Sequence, residues 1–335
     1  MTMSLKRRDV LKLAASAAAA TGLGVGHATA QTKMVMKAAD VHPLGYPTVA
    51  AVEAIGKKLE AATNGRLSIQ MYPAMQLGGE KEMIEQAQVG ALQIARISVG
   101  AVGPVIDDMN VFNMPFVFRD GPHMEKVIDG AIGDELLAKI GSEPKTGLIG
   151  LCWMNAGTRN IYNAKRPIKS LEDLKGLKIR MMGNPLFIDT MNALGGNGIG
   201  MGFDQLYNAM QTGVVDGAEN NFPPFIAQNH FQVAKYFSQT EHLIIPELLV
   251  FSRKSWETLS KEDQALVAKF GKEAQKEQRV LWYKAEETSL AKMKEAGIEI
   301  VKFADKKAFQ DAVKPVWDRY GTKYAELVKR IQAVQ

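Results

Sequence analysis

The stretch NGRLSIQMYPAMQLGGEKEMIEQAQVGALQIARIS, residues 64–98, switches between two periods. Leu67, Ile69 and Met71 recur at every second position, which predicts a strand over 66–72. Residues 80–89 carry helical spacing and stop at Gly90, and 92–98 reads as another strand. Upstream, 34–39 reads as a strand. Residues 48–63 read as an amphipathic helix with Val52, Ile55 and Leu59 on its apolar face, ended by Asn64-Gly65. Strands and helices alternating through short connections imply a parallel sheet covered by helices, so the fold class is α/β.

A second unit of the same kind begins near Leu148. A buried-strand pattern precedes the turn Asn155-Ala156-Gly157-Thr158-Arg159, and Ser170-x-x-Asp173 gives a capping signal. The strand ending Lys178-Ile179-Arg180 leads into a helix over 185–194, and the glycines at 195–200 read as a tight turn. Asp204 is placed to cap a further helix ending at Gly213. Residues 243–252 are apolar enough for one more central strand, 260–295 form a long helix, 298–303 a short strand, and 307–334 a helical tail interrupted near Gly321. Two α/β units joined by crossing segments predict two lobes with a cleft between them. About 300 residues also exceed what one compact core usually holds.

The first thirty residues stand apart. Lys6, Arg7 and Arg8 precede a mildly apolar run rich in alanine and glycine, and Ala28-Thr29-Ala30 offers a small-x-small cleavage site. Arg7-Arg8 resembles a twin-arginine export signal. Removing 1–30 deletes four basic residues and one acidic one, taking the formal charge from +5 to about +2. No basic cluster interleaved with aromatics remains to bind nucleic acid. No other stretch reaches the roughly twenty apolar residues of a membrane span. The mature chain is therefore expected to be a soluble periplasmic protein. Its single cysteine, Cys152, lies in an apolar run and reads as a buried structural thiol.

Patterns for catalysis, nucleotide binding and metal binding are absent from the sequence: no G-x-S-x-G, H-E-x-x-H, C-x-x-C or P-loop occurs, and no two histidines have metal-ligand spacing. Neither a metal nor another cofactor is expected. His123 and His230 read as surface or loop residues, whereas His42 ends the first strand, where open α/β sheets place ligand contacts. In the second unit Arg159 follows a strand through a glycine turn, Arg180 ends another, and Asn220-Asn221 ends a third. Two guanidiniums and an amide converging there make a carboxylate site, because a guanidinium matches a carboxylate by two parallel, charge-assisted hydrogen bonds.

From about Met34 to Gln335 the sequence resembles the solute-binding proteins of TRAP transporters, tripartite ATP-independent periplasmic uptake systems. The resemblance rests on Gln76-Leu77-Gly78-Gly79-Glu80, Asn113-Met114-Pro115-Phe116-Val117-Phe118, Leu171-Glu172-Asp173-Leu174-Lys175-Gly176-Leu177-Lys178-Ile179-Arg180 and Gln211-Thr212-Gly213-Val214-Val215-Asp216-Gly217-Ala218-Glu219-Asn220. It implies a two-lobed solute-binding fold with a hinge and a long spanning helix. The lobes are then 31–155 plus about 245–285, and about 156–244 plus 286–335. It also implies that Arg180 grips a ligand carboxylate with help from Arg159 and Asn220. The loaded monomer then delivers the acid to membrane permease subunits.

The phrases around His42 and Asn220-Asn221-Phe222-Pro223 look like those of members that bind hexuronates and related sugar acids. Ser98 stands near where sialate-binding members carry a glutamate. Further ligand contacts are expected among His42, Glu80, Ser98, Asn184 and Asn221, although Glu80 equally suits the N-terminal dipole of its helix. Two alternatives stay open: the same receptor for a non-sugar carboxylate, such as a C4-dicarboxylate or a 2-oxo or hydroxy acid, and an exported enzyme acting on sugar acids.

Overall fold

The computed structural model describes residues 33–335, so the export signal lies outside the described residues. In chain order the strands are β1 (Met34–Ala39), β2 (Leu67–Tyr72), β3 (Ile94–Ser98), β4 (Leu148–Met154), β5 (Thr158–Asn163), β6 (Lys178–Met181), β7 (Asn197–Gly200), β8 (Gly217–Asn220), β9 (Tyr236–Ile244), β10 (Glu247–Ser252) and β11 (Glu299–Lys302). They form two sheets, ordered β2-β1-β3-β10-β4 and β11-β9-β5-β8-β6-β7.

The first sheet is parallel where the alternating pattern predicts it, β1 pairing with both β2 and β3. The helix Pro47–Ala62 starts on a proline, and the chain leaves it through Asn64 and Gly65, both at positive φ. Gly90, at φ +85°, ends the helix Glu80–Val89. β10 returns from the far part of the chain and inserts antiparallel between β3 and β4.

That insertion corrects the reading of 243–252 as one strand. Leu243 and Ile244 belong to β9 of the second sheet, and β10 begins at Glu247 in the first. Pro246, which cannot donate to a ladder, stands in the crossing. The other strand crossing is Asn155-Ala156-Gly157 between β4 and β5, where Gly157 has φ +67°. The second sheet is mixed rather than parallel: β5 runs antiparallel to β8 and β9, while β6 runs parallel to β7 and β8.

The 35-residue helix Lys261–Glu295 starts where the sequence predicts, with Ser260 Oγ accepting from Asp263 N at 3.1 Å. At 1.5 Å per residue it is about 52 Å long, enough to span both sheets. Val267, Phe270 and Ala274 pack into the core of the first sheet, and Met293 into a core built on the second. Between them Gln278 holds the crossing, donating to Asn155 O and accepting from Asn155 N, each at 2.8 Å. The C-terminal helices lie across both lobes: Trp317 Nε1 donates to Pro115 O at 3.1 Å, and Arg319 pairs with Asp189 at 2.8 Å.

Three smaller expectations change. Asp204 does not cap its helix, which starts at Leu206 with Gln205 as the cap and no side-chain bond. His123 and His230 are buried rather than exposed: His123 Nε2 lies 2.9 Å from Ile331 O, and His230 Nδ1 lies 2.8 Å from Tyr162 Oη. Cys152 is fully buried on β4, where burial pushes its thiol up to about 12.

Candidate functional site

A small, polar-lined cavity lies between the two sheets. Strand direction explains why its arginines meet. β6 and β8 run parallel and place Arg180 and Asn220 at their carboxyl ends; β5 runs antiparallel to β8, so its opening residues Thr158 and Arg159 reach the same edge. The strand ends therefore converge although Arg159 begins its strand.

The two arginines are differently committed. Arg159 is buried and makes four of its five possible hydrogen bonds: Nε and Nη2 contact the Glu219 carboxylate, Nη2 also donates to Glu219 O at 2.8 Å, and Nη1 donates to Asn220 Oδ1 at 2.9 Å. Arg180 is only 3% exposed, and its one hydrogen bond runs from Nε to Met201 O at 2.8 Å. Among the described residues no carboxylate pairs with it, and Nη1 and Nη2 have no protein acceptor. Burial pulls its pKa down, Glu219 opposes that shift, and the neighbouring charge of Arg159 adds to it. Phe203 lies below the guanidinium, 5.6 Å from ring centroid to Cζ. This half of the site is a desolvated cation with a free fork.

The facing wall is built on the first sheet around Arg96. Its Nε and Nη2 donate to Asp40 Oδ1 at 3.0 and 2.7 Å, and its Nη1 donates to Glu80 Oε1 at 3.0 Å and Glu247 Oε2 at 2.5 Å. Thr48 Oγ1 donates to Asp40 Oδ2 at 2.5 Å, and Ser98 N donates to Glu80 Oε1 at 2.8 Å. Burial opposes ionisation of Asp40, but the charge of Arg96 and the hydrogen bonds from His42 and Arg96 hold it below the usual carboxylate range. Burial dominates at Glu247 and pushes it up to about 7 despite Arg96. His42 Nδ1 lies 2.9 Å from Asp40 Oδ1 and 2.7 Å from Arg96 Nη2, while burial and Arg96 lower its pKa and keep the ring neutral. Its Nε2 has no protein partner. The His42 ring stacks on Tyr46 at 3.8 Å, and Tyr46 meets Trp282 edge-on at 6.3 Å.

Of the residues picked out from sequence, Arg180, Arg159, Asn220, His42, Glu80, Ser98 and Asn221 all line the cavity. Asn221 Nδ2 is buried there without a protein acceptor. Asn184 does not line it. Its Oδ1 caps the helix Pro185–Ala193 by accepting from Leu186 N at 3.0 Å, and its Nδ2 donates to Gly100 O and Asn110 Oδ1 at 3.1 and 2.9 Å. It holds the backbone behind the site. Asp40, Thr48, Tyr46, Arg96, Phe203, Glu219, Glu247 and Trp282 escape the sequence reading. One signal was present: Arg96 interrupts an otherwise apolar strand, and Ala39 pairs with Ala95, so Asp40 arrives beside it.

A two-lobed α/β fold closing on a cavity with an unsatisfied guanidinium defines a binding protein for small organic anions. The sequence matches the family described as bacterial extracellular solute-binding protein, family 7 (DctP), over residues 38–323, and the chain belongs to it. Its members are the periplasmic solute-binding proteins of TRAP systems. Among solved structures, the chain is similar to a TRAP solute-binding protein from Pseudomonas putida F1 with bound D-glucuronate: 54% identity, 90% of this chain, 98% of that one, TM-score 0.88. A Bradyrhizobium protein in complex with D-galacturonate is 44% identical over 89% of this chain and 99% of its own, with TM-score 0.86. A Citrobacter koseri protein with bound D-glucuronate is 45% identical over 90% of this chain and all of its own, with TM-score 0.88. Its apo, open structure scores 0.78, with 42% identity over 89% of this chain and 99% of that one. The present arrangement of lobes is thus closer to the liganded form than to the open one.

Proposed function

We propose that this protein is the receptor of a TRAP uptake system for a hexuronate, such as glucuronate or galacturonate. The observation that carries the reading is Arg180, a buried guanidinium with both Nη groups free at the cavity. A ligand carboxylate supplies the missing partner by a bidentate contact, and Arg159, Asn220 and Asn221 Nδ2 surround it. The rest of a hexuronate is a ring with hydroxyls on its rim and C–H groups on its faces. His42 Nε2 and the carboxylates of Glu80 and Glu247 meet the hydroxyls, and Trp282, Tyr46, Phe203 and Met182 offer apolar surface.

The crossings at Asn155-Ala156-Gly157 and Ile245-Pro246 act as the hinge strands. In the open form water hydrates Arg180; in the closed form the ligand replaces it and draws the walls together. The closed form is the one that presents the acid to the membrane permease subunits. A thermal-shift panel of hexuronates, aldonates, C4-dicarboxylates, 2-oxo acids and sialate tests this. At 100 times its dissociation constant a ligand adds about 2.7 kcal/mol of stability. Stabilisation by hexuronates, with NMR showing the sugar recovered unchanged, is the expected result. Stabilisation by C4-dicarboxylates alone overturns the ligand, and turnover of the bound uronate overturns the receptor role.

A further inference from the structure

We propose that the two walls act together as a one-charge filter: the site accepts a sugar acid with a single carboxylate and rejects the dicarboxylate of the same carbon chain. This deepens the hexuronate reading and rests on it. The wall on the second sheet carries Arg159 and Arg180 against one carboxylate, Glu219. The wall on the first sheet reverses the balance, with Asp40, Glu80 and Glu247 crowded on the single guanidinium of Arg96.

The acidic wall offers mainly acceptors: the Arg96 charge keeps Asp40 ionised, and Glu247, pushed up to about 7 by burial, is only partly protonated. Arg96 takes up Glu80 Oε1 and Glu247 Oε2, leaving Glu80 Oε2 and Glu247 Oε1 without a protein donor beside the cavity. Free carboxylate oxygens satisfy ligand O–H groups. A second ligand carboxylate in the same place brings acceptor against acceptor and like charge against like charge, in a pocket where water cannot screen them. Two donors beside that wall are already engaged, Thr48 Oγ1 on Asp40 and Ser98 N on Glu80, which leaves the neutral His42 ring to face three carboxyl groups. The single free guanidinium fork lies on the opposite wall, where the first carboxylate already occupies it.

Calorimetry on the full mature protein tests the filter with linear ligands, so that ring closure does not enter. Gluconate and glucarate share a carbon chain and differ by one carboxylate. The expected result is glucarate binding about 100-fold or more weaker than gluconate, with the ratio shrinking about tenfold or more in Glu247→Gln and in Glu80→Gln, each of which keeps an acceptor oxygen and loses the charge. Equal binding of gluconate and glucarate by the wild-type protein, a measurement that needs no variant, overturns the filter. A ratio unmoved by both substitutions overturns its charge basis. Tight binding of glucuronate and glucarate alike removes the filter and leaves the hexuronate reading intact, whereas binding of C4-dicarboxylates in place of any sugar acid removes both.

Discussion

Arg180 and Arg159 line one cavity, yet removing them has different consequences because one is paired and the other is not. Arg180→Ala deletes a guanidinium whose only protein bond is Nε to Met201 O. Folding loses one hydrogen bond, about 1 kcal/mol, and gains relief from burying an unpaired charge, so apo stability should change by no more than about 1 kcal/mol. On the proposed reading, binding loses the fork that takes the carboxylate in a desolvated site. Such losses run about 2–5 kcal/mol, roughly 30-fold to several-thousand-fold in affinity. Arg180→Lys keeps the charge but loses the two-pronged geometry, and is expected between wild type and alanine. Arg159→Ala behaves differently. It strands the Glu219 carboxylate, which is 0% exposed, and apo stability should fall by about 3–5 kcal/mol. Urea unfolding of the apo proteins and calorimetry with glucuronate separate the two effects. Wild-type affinity in Arg180→Ala, or a large stability loss there with none in Arg159→Ala, refutes the division of labour.

Other expectations follow from the same contacts. Asn184→Ala should cost about 1–3 kcal/mol of stability, through a lost helix cap and unsatisfied partners at Gly100 and Asn110, while hexuronate affinity stays within about threefold by calorimetry. Gly157→Ala forces a side chain onto φ +67°, with its Cβ 2.6 Å from Glu286 Oε1, and should lower the urea midpoint by the equivalent of about 1–3 kcal/mol. His230 and His242 are each driven down to about 3, by burial first and then by the charges of Arg180 and Arg159 respectively. The unfolded chain binds those protons near 6.5 and the folded chain does not. Their stabilisation is thus full above pH 6.5 and lost as pH falls toward 3. Glu247 acts in the opposite sense between its usual range and 7. The test is therefore the difference between wild type and His242→Gln in urea unfolding at pH 5 and 7, with the variant losing less stability on acidification.

The alternating units were legible because each rests on local periodicity, and Arg180 was legible because it ends a strand in such a unit. What stayed hidden depends on contacts between residues far apart in the chain. Glu247 reads as one polar residue in an apolar run until Pro246 is seen to carry the chain from one sheet to the other. Trp282 sits within the 35-residue helix, and nothing in the local sequence marks its turn as the one that meets Tyr46 and the cavity. Asn184 lies away from the cavity for a related reason. An asparagine before Pro185 is as good a helix cap as a ligand contact, and the cap is what the fold uses.

Trp282 has one more consequence. Of the four tryptophans, Trp153 and Trp317 donate their indole N–H groups to backbone carbonyls away from the cavity, and Trp256 packs edge-on against Phe251. Trp282 alone lines the cavity, with its ring beside Tyr46 and its Nε1 near the Glu286 carboxyl. Its emission therefore depends on whether water or a sugar face lies against the indole. The protein carries an intrinsic optical gauge of its own occupancy, readable by stopped-flow fluorescence without a label.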